Sequence, residues 1–396
     1  MIAILGVPVA FATILLLVRK KVSYGVAIIV GSLIIGVFSG FSLGEFVDCA
    51  GETLRDEQTL TLVAVITLIG IMGYSFKQTG RIDVTINELR GISGEKTILA
   101  AIPAAFGMLP IPGGALMSAP VIEPEADRLK LTPEHKTYLN LWFRHALLIV
   151  FPLSTTLILP ASLAGISVFS MIKLLVPLFV VAVVTGYVVG LRPIKRHEGH
   201  PGGGSLLRVV YGLSPILLVI TLNAAGIPLV VGLILGLVLL FLESNLGVKQ
   251  SFQILVRGIS INMAVAMVGI MFFRQVVNTS PVVTEVMDLL EGSPAALLIV
   301  GLPIVVSIFM GLALLSIGVC FPLLEPISPF SLPVFATILY TSAFAGYLAS
   351  PLHLCLILTK EYFHSSLFGV YRRFLPSVGV IILYNICFTL FFLWLL

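Results

Sequence analysis

Residues 96–127 read KTILAAIPAAFGMLPIPGGALMSAPVIEPEAD. The stretch is apolar enough for lipid, yet Leu109-Pro110-Ile111-Pro112-Gly113-Gly114 interrupts it, because two prolines lack amide donors and clash with the preceding turn. Each arm is shorter than the roughly 20 helical residues that span a hydrocarbon core. The spacing predicts a re-entrant hairpin over about 96–126, entering and leaving on one side of the membrane; a proline-kinked pair of ordinary helices is the alternative. Irregular backbone at membrane depth survives only where protein or a watery cavity covers it, so the tip is expected to face a binding site.

The rest of the chain suits that setting. Hydrophobic residues make up 58% and charged residues 11% of the sequence, and the mean hydropathy is +1.12. This excludes an ordinary soluble domain and predicts an integral membrane protein. The net charge of +4 sits in short loops between apolar runs, which membrane topology explains without a nucleic-acid partner. Cys49, Cys320, Cys355 and Cys387 are scattered, with neither disulfide nor CxxC spacing, and read as small apolar packers. At the N-terminus the cations Arg19-Lys20-Lys21 follow the apolar run, as in a first transmembrane helix rather than a cleaved signal peptide.

Full crossings are expected near 2–18, 23–41, 58–76, 138–159 and 169–191. After the polar linker RPIKRHEGHPGGGS (192–205), they recur near 206–222, 227–242, 258–277, 333–358 and 367–396. A second broken stretch, about 294–326, occupies the slot of the first hairpin. Landmarks repeat about 200 positions apart: Gly70-Ile71-Met72 with Gly269-Ile270-Met271, the Pro120/Glu123-Pro124 run with Pro322/Glu325-Pro326, Pro152 with Pro351, and Pro177 with Pro376. The chain thus reads as an all-α polytopic membrane protein of two inverted-topology repeats, 1–191 and 206–396, each with five crossings and one re-entrant hairpin.

Charge supports the inversion. With Arg19-Lys20-Lys21 cytoplasmic, every Lys and Arg except Arg55, Lys173, Arg274 and the intramembrane Arg144 falls on the same side, whereas Glu45, Asp48, Glu52, Asp56 and Glu57 fall outside. Both termini are then expected outside a cytoplasmic (inner) membrane. The first hairpin opens inward, and the second, flanked by Glu285, Asp288 and Glu291, opens outward.

Pro152 and Pro351 break the crossing after each hairpin, beside Ser154-Thr155-Thr156 in one half and Ser350 and His353 in the other. A broken helix frees carbonyls that attract a cation and amides that attract an anion, and these hydroxyls are placed to complete such shells. They serve equally to re-satisfy the freed backbone. Arg144 and His145, deeper than most charges, are candidates for an anionic substrate; snorkelling is the other reading of Arg144. His353 is a candidate proton carrier or a hydrogen-bond donor to a broken-helix carbonyl. The candidate substrate set is Pro112, Gly113, Gly114 and Ser118 of the first hairpin, Arg144, His145, Ser154, Thr155 and Thr156, then Gly311, Ser316, Ser350 and His353. A sodium site is expected near Gly113, Ser154, Thr155 and Ser350. Met310-Gly311-Leu312 is the expected second tip, and Glu123 and Glu325 read as structural ends of the returning arms. No HExxH, GxSxG or paired Cys/His motif is present in the sequence.

This order of hairpins and broken helices resembles the ion transporter superfamily of divalent-anion/sodium symporters, citrate and gluconate permeases and arsenite and sodium/proton antiporters. GMLPIPGGALMSAP (107–120) is similar to the hairpin tips of those permeases, nearest to a prokaryotic branch. The Ser-Asn-Thr signature of the dicarboxylate symporters is missing from both hairpins, so solute and coupling ion do not carry over. The resemblance implies an elevator-type secondary transporter in a homodimer, moving a small, anionic organic solute coupled to sodium or protons. It implies no enzyme and no cofactor beyond the coupling ion. Alternatives are a sodium/proton antiporter, for which no buried Asp pair is present, and a membrane-embedded enzyme or lipid-handling protein.

Overall fold

The structure is a computed structural model that describes residues 2–92, 94–108, 114–194, 203–244, 246–289 and 295–396. Its first half runs α1 (Ile2–Arg19), α2 (Tyr24–Phe38), α3 (Leu43–Arg55), α4 (Glu57–Gln78), α5 (Arg81–Ile92), α6 (Glu95–Gly107), α7 (Gly114–Arg128), α8 (Pro133–Leu148), α9 (Thr155–Leu163) and α10 (Val168–Gly186). Its second half runs α11 (Leu206–Ala224), α12 (Leu229–Leu242), α13 (Val248–Gly258), α14 (Ile261–Thr279), α15 (Val282–Leu289), α16 (Ala295–Met310), α17 (Ala313–Leu324), α18 (Leu332–Ala349), α19 (Leu354–Tyr362) and α20 (Leu367–Trp394). No strand forms among the described residues.

Six elements are long and apolar enough to cross a bilayer: α4, α10 with its π-helical extension to Leu191, α11, α14, α18 with α19, and α20. This is the architecture of an integral membrane protein. The other expected crossings rest on shorter pieces. Apolar α2 and α12 have 15 and 14 residues, and the crossing expected at 138–159 is split by a break at 149–154 between α8 and α9.

Four helices occupy segments expected as loops. In α3, charges interrupt the apolar pattern, but Cys49 and Thr53, four apart, turn one face inward. Ser42 caps α3, with Glu45 returning the bond as a capping box. The others are α5, α13 and α15.

Packing pairs the halves crosswise. α2 lies against α14 and α12 against α4; α9 meets α17 and α19 meets α7; α10 meets α18 and α20 meets α8. Within each half, α6 packs on α7 and α8, and α16 on α17 and α18. The centre is α8, α17 and α18: every residue of α17 is buried, as is every residue of α8 from His135 to Ala146. α10, α11 and α20 are only about a quarter buried and present apolar surface outward.

Contacts between elements fix this frame. Arg81 of α5 pairs with Glu243 at 2.6 Å and stacks its guanidinium over the Tyr211 ring. Glu88, also on α5, accepts from the Ser205 amide and from Arg208, holding the start of α11; those donors keep its carboxyl below the usual range. Lys136 lies in the first turn of α8 rather than in a loop, and it is buried because Asp127 of the α7 end pairs with it. Glu123 of α7 accepts from the Tyr362 hydroxyl of α19 at 2.6 Å, a structural use of that acid.

Candidate functional site

Breaks in equivalent places bring the two halves together. Between α8 and α9 the chain turns through Pro152, and the Ser154 amide donates to the Phe151 carbonyl; between α18 and α19 it turns through Pro351, and the His353 amide donates to the Ser350 carbonyl. Freed carbonyls are taken by phenols: the Tyr340 hydroxyl of α18 donates to Leu148, and Tyr371 of α20 donates to Ala349, each at 3.1 Å. Leaving such buried acceptors bare would cost about 1–3 kcal/mol each.

The chain turns at Gly311, within the expected second tip, between α16 and α17, with φ +68°. A β-carbon there would stand 2.8 Å from the Leu352 carbonyl, so only glycine allows the tip to lie against the second break. The tip of the first hairpin, including Pro112 and Gly113, lies outside the described residues, and Gly114 opens α7.

Several candidate hydroxyls hold backbone together. Ser350 Oγ donates to the Ile308 carbonyl of α16 at 2.6 Å and accepts from the Leu352 amide. Ser316 donates to the Pro303 carbonyl across the second hairpin. Ser118 donates to Asn140 Oδ1 at 2.6 Å, while Asn140 Nδ2 donates to the Ala115 carbonyl and to Thr359 of the other half. Ser154 and Thr156 bond to each other at 2.8 Å, with Thr155 beside them opening α9. Of the residues expected near a sodium ion, Gly113 lies outside the described residues, Ser154 and Thr155 stand at the start of α9, and Ser350 Oγ lies against the Ile308 carbonyl of α16.

Arg144, His145 and His353 carry the remaining polarity. Arg144 is 5% exposed and, instead of snorkelling, donates from Nη1 to the Phe106 carbonyl at 2.7 Å, at the end of α6. A cation suits the negative end of that helix dipole. It has no carboxylate partner among the described residues, and a guanidinium carries five N–H donors. Next to it, His145 donates from Nδ1 to the Leu141 carbonyl at 2.7 Å, which leaves Nε2 as the bare nitrogen 3.3 Å from the Tyr347 hydroxyl. His353 has no exposed surface; its ring lies 4.7 Å from that of His145 and 4.0 Å from that of Tyr347. Neither of its ring nitrogens has a hydrogen-bond partner among the described residues, so of its two expected roles the bond to a broken-helix carbonyl is not seen among them.

Two small apolar crevices lie nearby, one among α4, α5, α6 and α11 and one among α4, α11 and α12. Met108 and Ile216 line both, Phe106 lines one and Leu153 the other. Tyr347, Tyr340, Asn140 and the Phe106 carbonyl were not among the expected site groups. Polar types buried in apolar helices were the available signal for the side chains; a carbonyl partner leaves none.

No curated protein matches the chain. A family match extends over residues 5–391, nearly end to end, so the chain belongs to the family described as Protein of unknown function (DUF401).

Proposed function

We propose that the protein is a secondary active carrier for a small, anionic organic solute, coupled to sodium or protons. The observation that carries this reading is Arg144: a buried guanidinium with no carboxylate partner among the described residues, at the meeting of two broken helices from different halves. The Phe106 carbonyl and the α6 dipole offset part of the cost of that charge, and an anionic solute would neutralise it.

Crosswise packing of like elements supports an inverted-repeat carrier, because two halves with the same parts provide two related states of similar energy. In this reading the packed helix pairs α6–α7 and α16–α17 are re-entrant hairpins. With α8 to α10 and α18 to α20 they form a unit that moves against a scaffold of α1 to α4 and α11 to α14, in a homodimer of the inner membrane. Arg144 attracts the solute, and the phenols that close the breaks keep the site rigid during movement.

Reconstitution into liposomes tests the proposal. Wild-type vesicles should accumulate a labelled carboxylate, phosphate or sugar acid when a sodium or proton gradient is imposed. A thermal-shift screen of those solutes, with and without sodium, selects the one to use. Vesicles that never respond to a gradient, made from protein that turns over a solute in detergent, would instead indicate an enzyme.

A further inference from the structure

His145, His353 and Cys355 converge. One ring nitrogen from each histidine and the Cys355 sulfur all lie within 4.8 Å of one another, and all three residues are buried. Cys355 sits on the first turn of α19, two residues beyond His353, so the second break that redirects the chain also presents both groups to His145 on α8.

We infer that these three residues form a binding site for a borderline-soft divalent metal ion of the zinc class. Tetrahedral zinc holds nitrogen at about 2.0–2.1 Å and sulfur at about 2.3 Å, which sets its ligands roughly 3.3–3.8 Å apart. With separations of at most 4.8 Å, the three atoms need to close by no more than about 1.5 Å to reach that geometry. Two imidazoles and a thiolate are the donor set that selects such an ion over sodium, magnesium or calcium, which take oxygen ligands.

Two further features fit a ligand set better than a packed core. His145 is already oriented: its Nδ1–H is spent on the Leu141 carbonyl, as in metal-binding histidines whose second nitrogen is fixed by a backbone acceptor. His353 leaves both nitrogens unpartnered among the described residues at zero exposure, a cost that an apolar side chain of similar size would avoid and that a coordinate bond relieves at one of them. Binding deprotonates the Cys355 thiol, so each ion taken up releases one proton to solvent. The thiolate leaves one net positive charge on a divalent ion, and the Tyr347 hydroxyl lies 3.3 Å from His145 Nε2, beside the ligand set. The inference stands apart from the carrier proposal, because metal binding is read without transport.

The test is titration of purified, metal-stripped full-length protein with Co2+. Wild type should bind one equivalent with an intense near-ultraviolet thiolate-to-cobalt band, released by one equivalent of Zn2+. Cys355→Ser and His353→Gln should lose the band, whereas a Cys49→Ala/Cys320→Ala/Cys387→Ala variant should keep it. X-ray absorption on zinc-loaded wild type needs no variant and should resolve one sulfur with nitrogen neighbours. Monodisperse wild type without the band at equimolar Co2+, a band that survives Cys355→Ser, or zinc with no sulfur neighbour would overturn the assignment.

Discussion

The α-carbon of Gly346 passes so close to the backbone of Ile304 that a β-carbon on it would stand 2.2 Å from the Ile304 carbonyl oxygen. This is where α18 seats on α16, and in the first half Gly107 of α6 meets the Arg144 carbonyl of α8 in the same way, at 2.4 Å. Backbone cannot yield as a flexible side chain can, so Gly346→Ala should cost about 1–3 kcal/mol, the range for overpacking. Gly301, also on α16, has nothing within 4 Å of its β-position. Gly301→Ala should be neutral or stabilise by up to about 1 kcal/mol through helix propensity. Melting temperatures of the two variants in one detergent check the contrast in sign; equal shifts would refute the close approach.

Tyr340→Phe removes the donor to Leu148 without changing the shape of a buried ring. The expected loss is about 1–3 kcal/mol, since a buried carbonyl at a helix break is left bare. Hydrogen exchange should rise at 149–154 before it rises in α10. Protection unchanged at the break would show that Tyr340 does not hold it.

Both breaks were legible because proline announces itself: Pro152 and Pro351 stand about 200 positions apart, and the chain turns at each. Gly311 was found by its type alone and does adopt a left-handed conformation. The amphipathic helices α3 and α13 were not legible, because a search for long apolar runs discards segments in which charges alternate with Cys49, Thr53 or Phe252. The hydroxyls near the breaks read either as a solute shell or as partners for freed backbone, and Ser350 and Ser316 do donate to the carbonyls of Ile308 and Pro303. Sequence shows which residues carry hydroxyls but not which carbonyls a bend leaves free. Cys355 looked like packing, and its role depends on a turn that aims it at a histidine in the other half.

Glu88 makes one contribution to stability depend on pH. Its carboxyl is held below its ordinary value of 4.5, chiefly by the Ser205 amide and then by Arg208. A depressed carboxylate stabilises the fold above the ordinary value, and that part is lost as pH falls from there through the lowered one. Glu88→Gln should therefore melt below wild type at pH 7, and the gap should close as both are acidified below about pH 4.5. A gap that persists undiminished at the lowest pH would mean that shape, not charge, ties α5 to α11.

Arg144 separates two roles that its position combines. As a cap it needs one donor near the Phe106 carbonyl, which a lysine supplies; as an anion receptor it needs a charged fork, which a lysine supplies only as a point charge. Arg144→Lys should keep most of the stability but weaken the solute-induced melting shift, by about tenfold in apparent affinity. Arg144→Gln should lose that shift altogether and also some stability, because the end of α6 loses its cation. The measurement is a melting curve of each variant against concentration of the solute that shifts wild type. A Gln variant that is less stable but binds the solute with wild-type affinity would leave Arg144 as a helix cap and place the anion elsewhere.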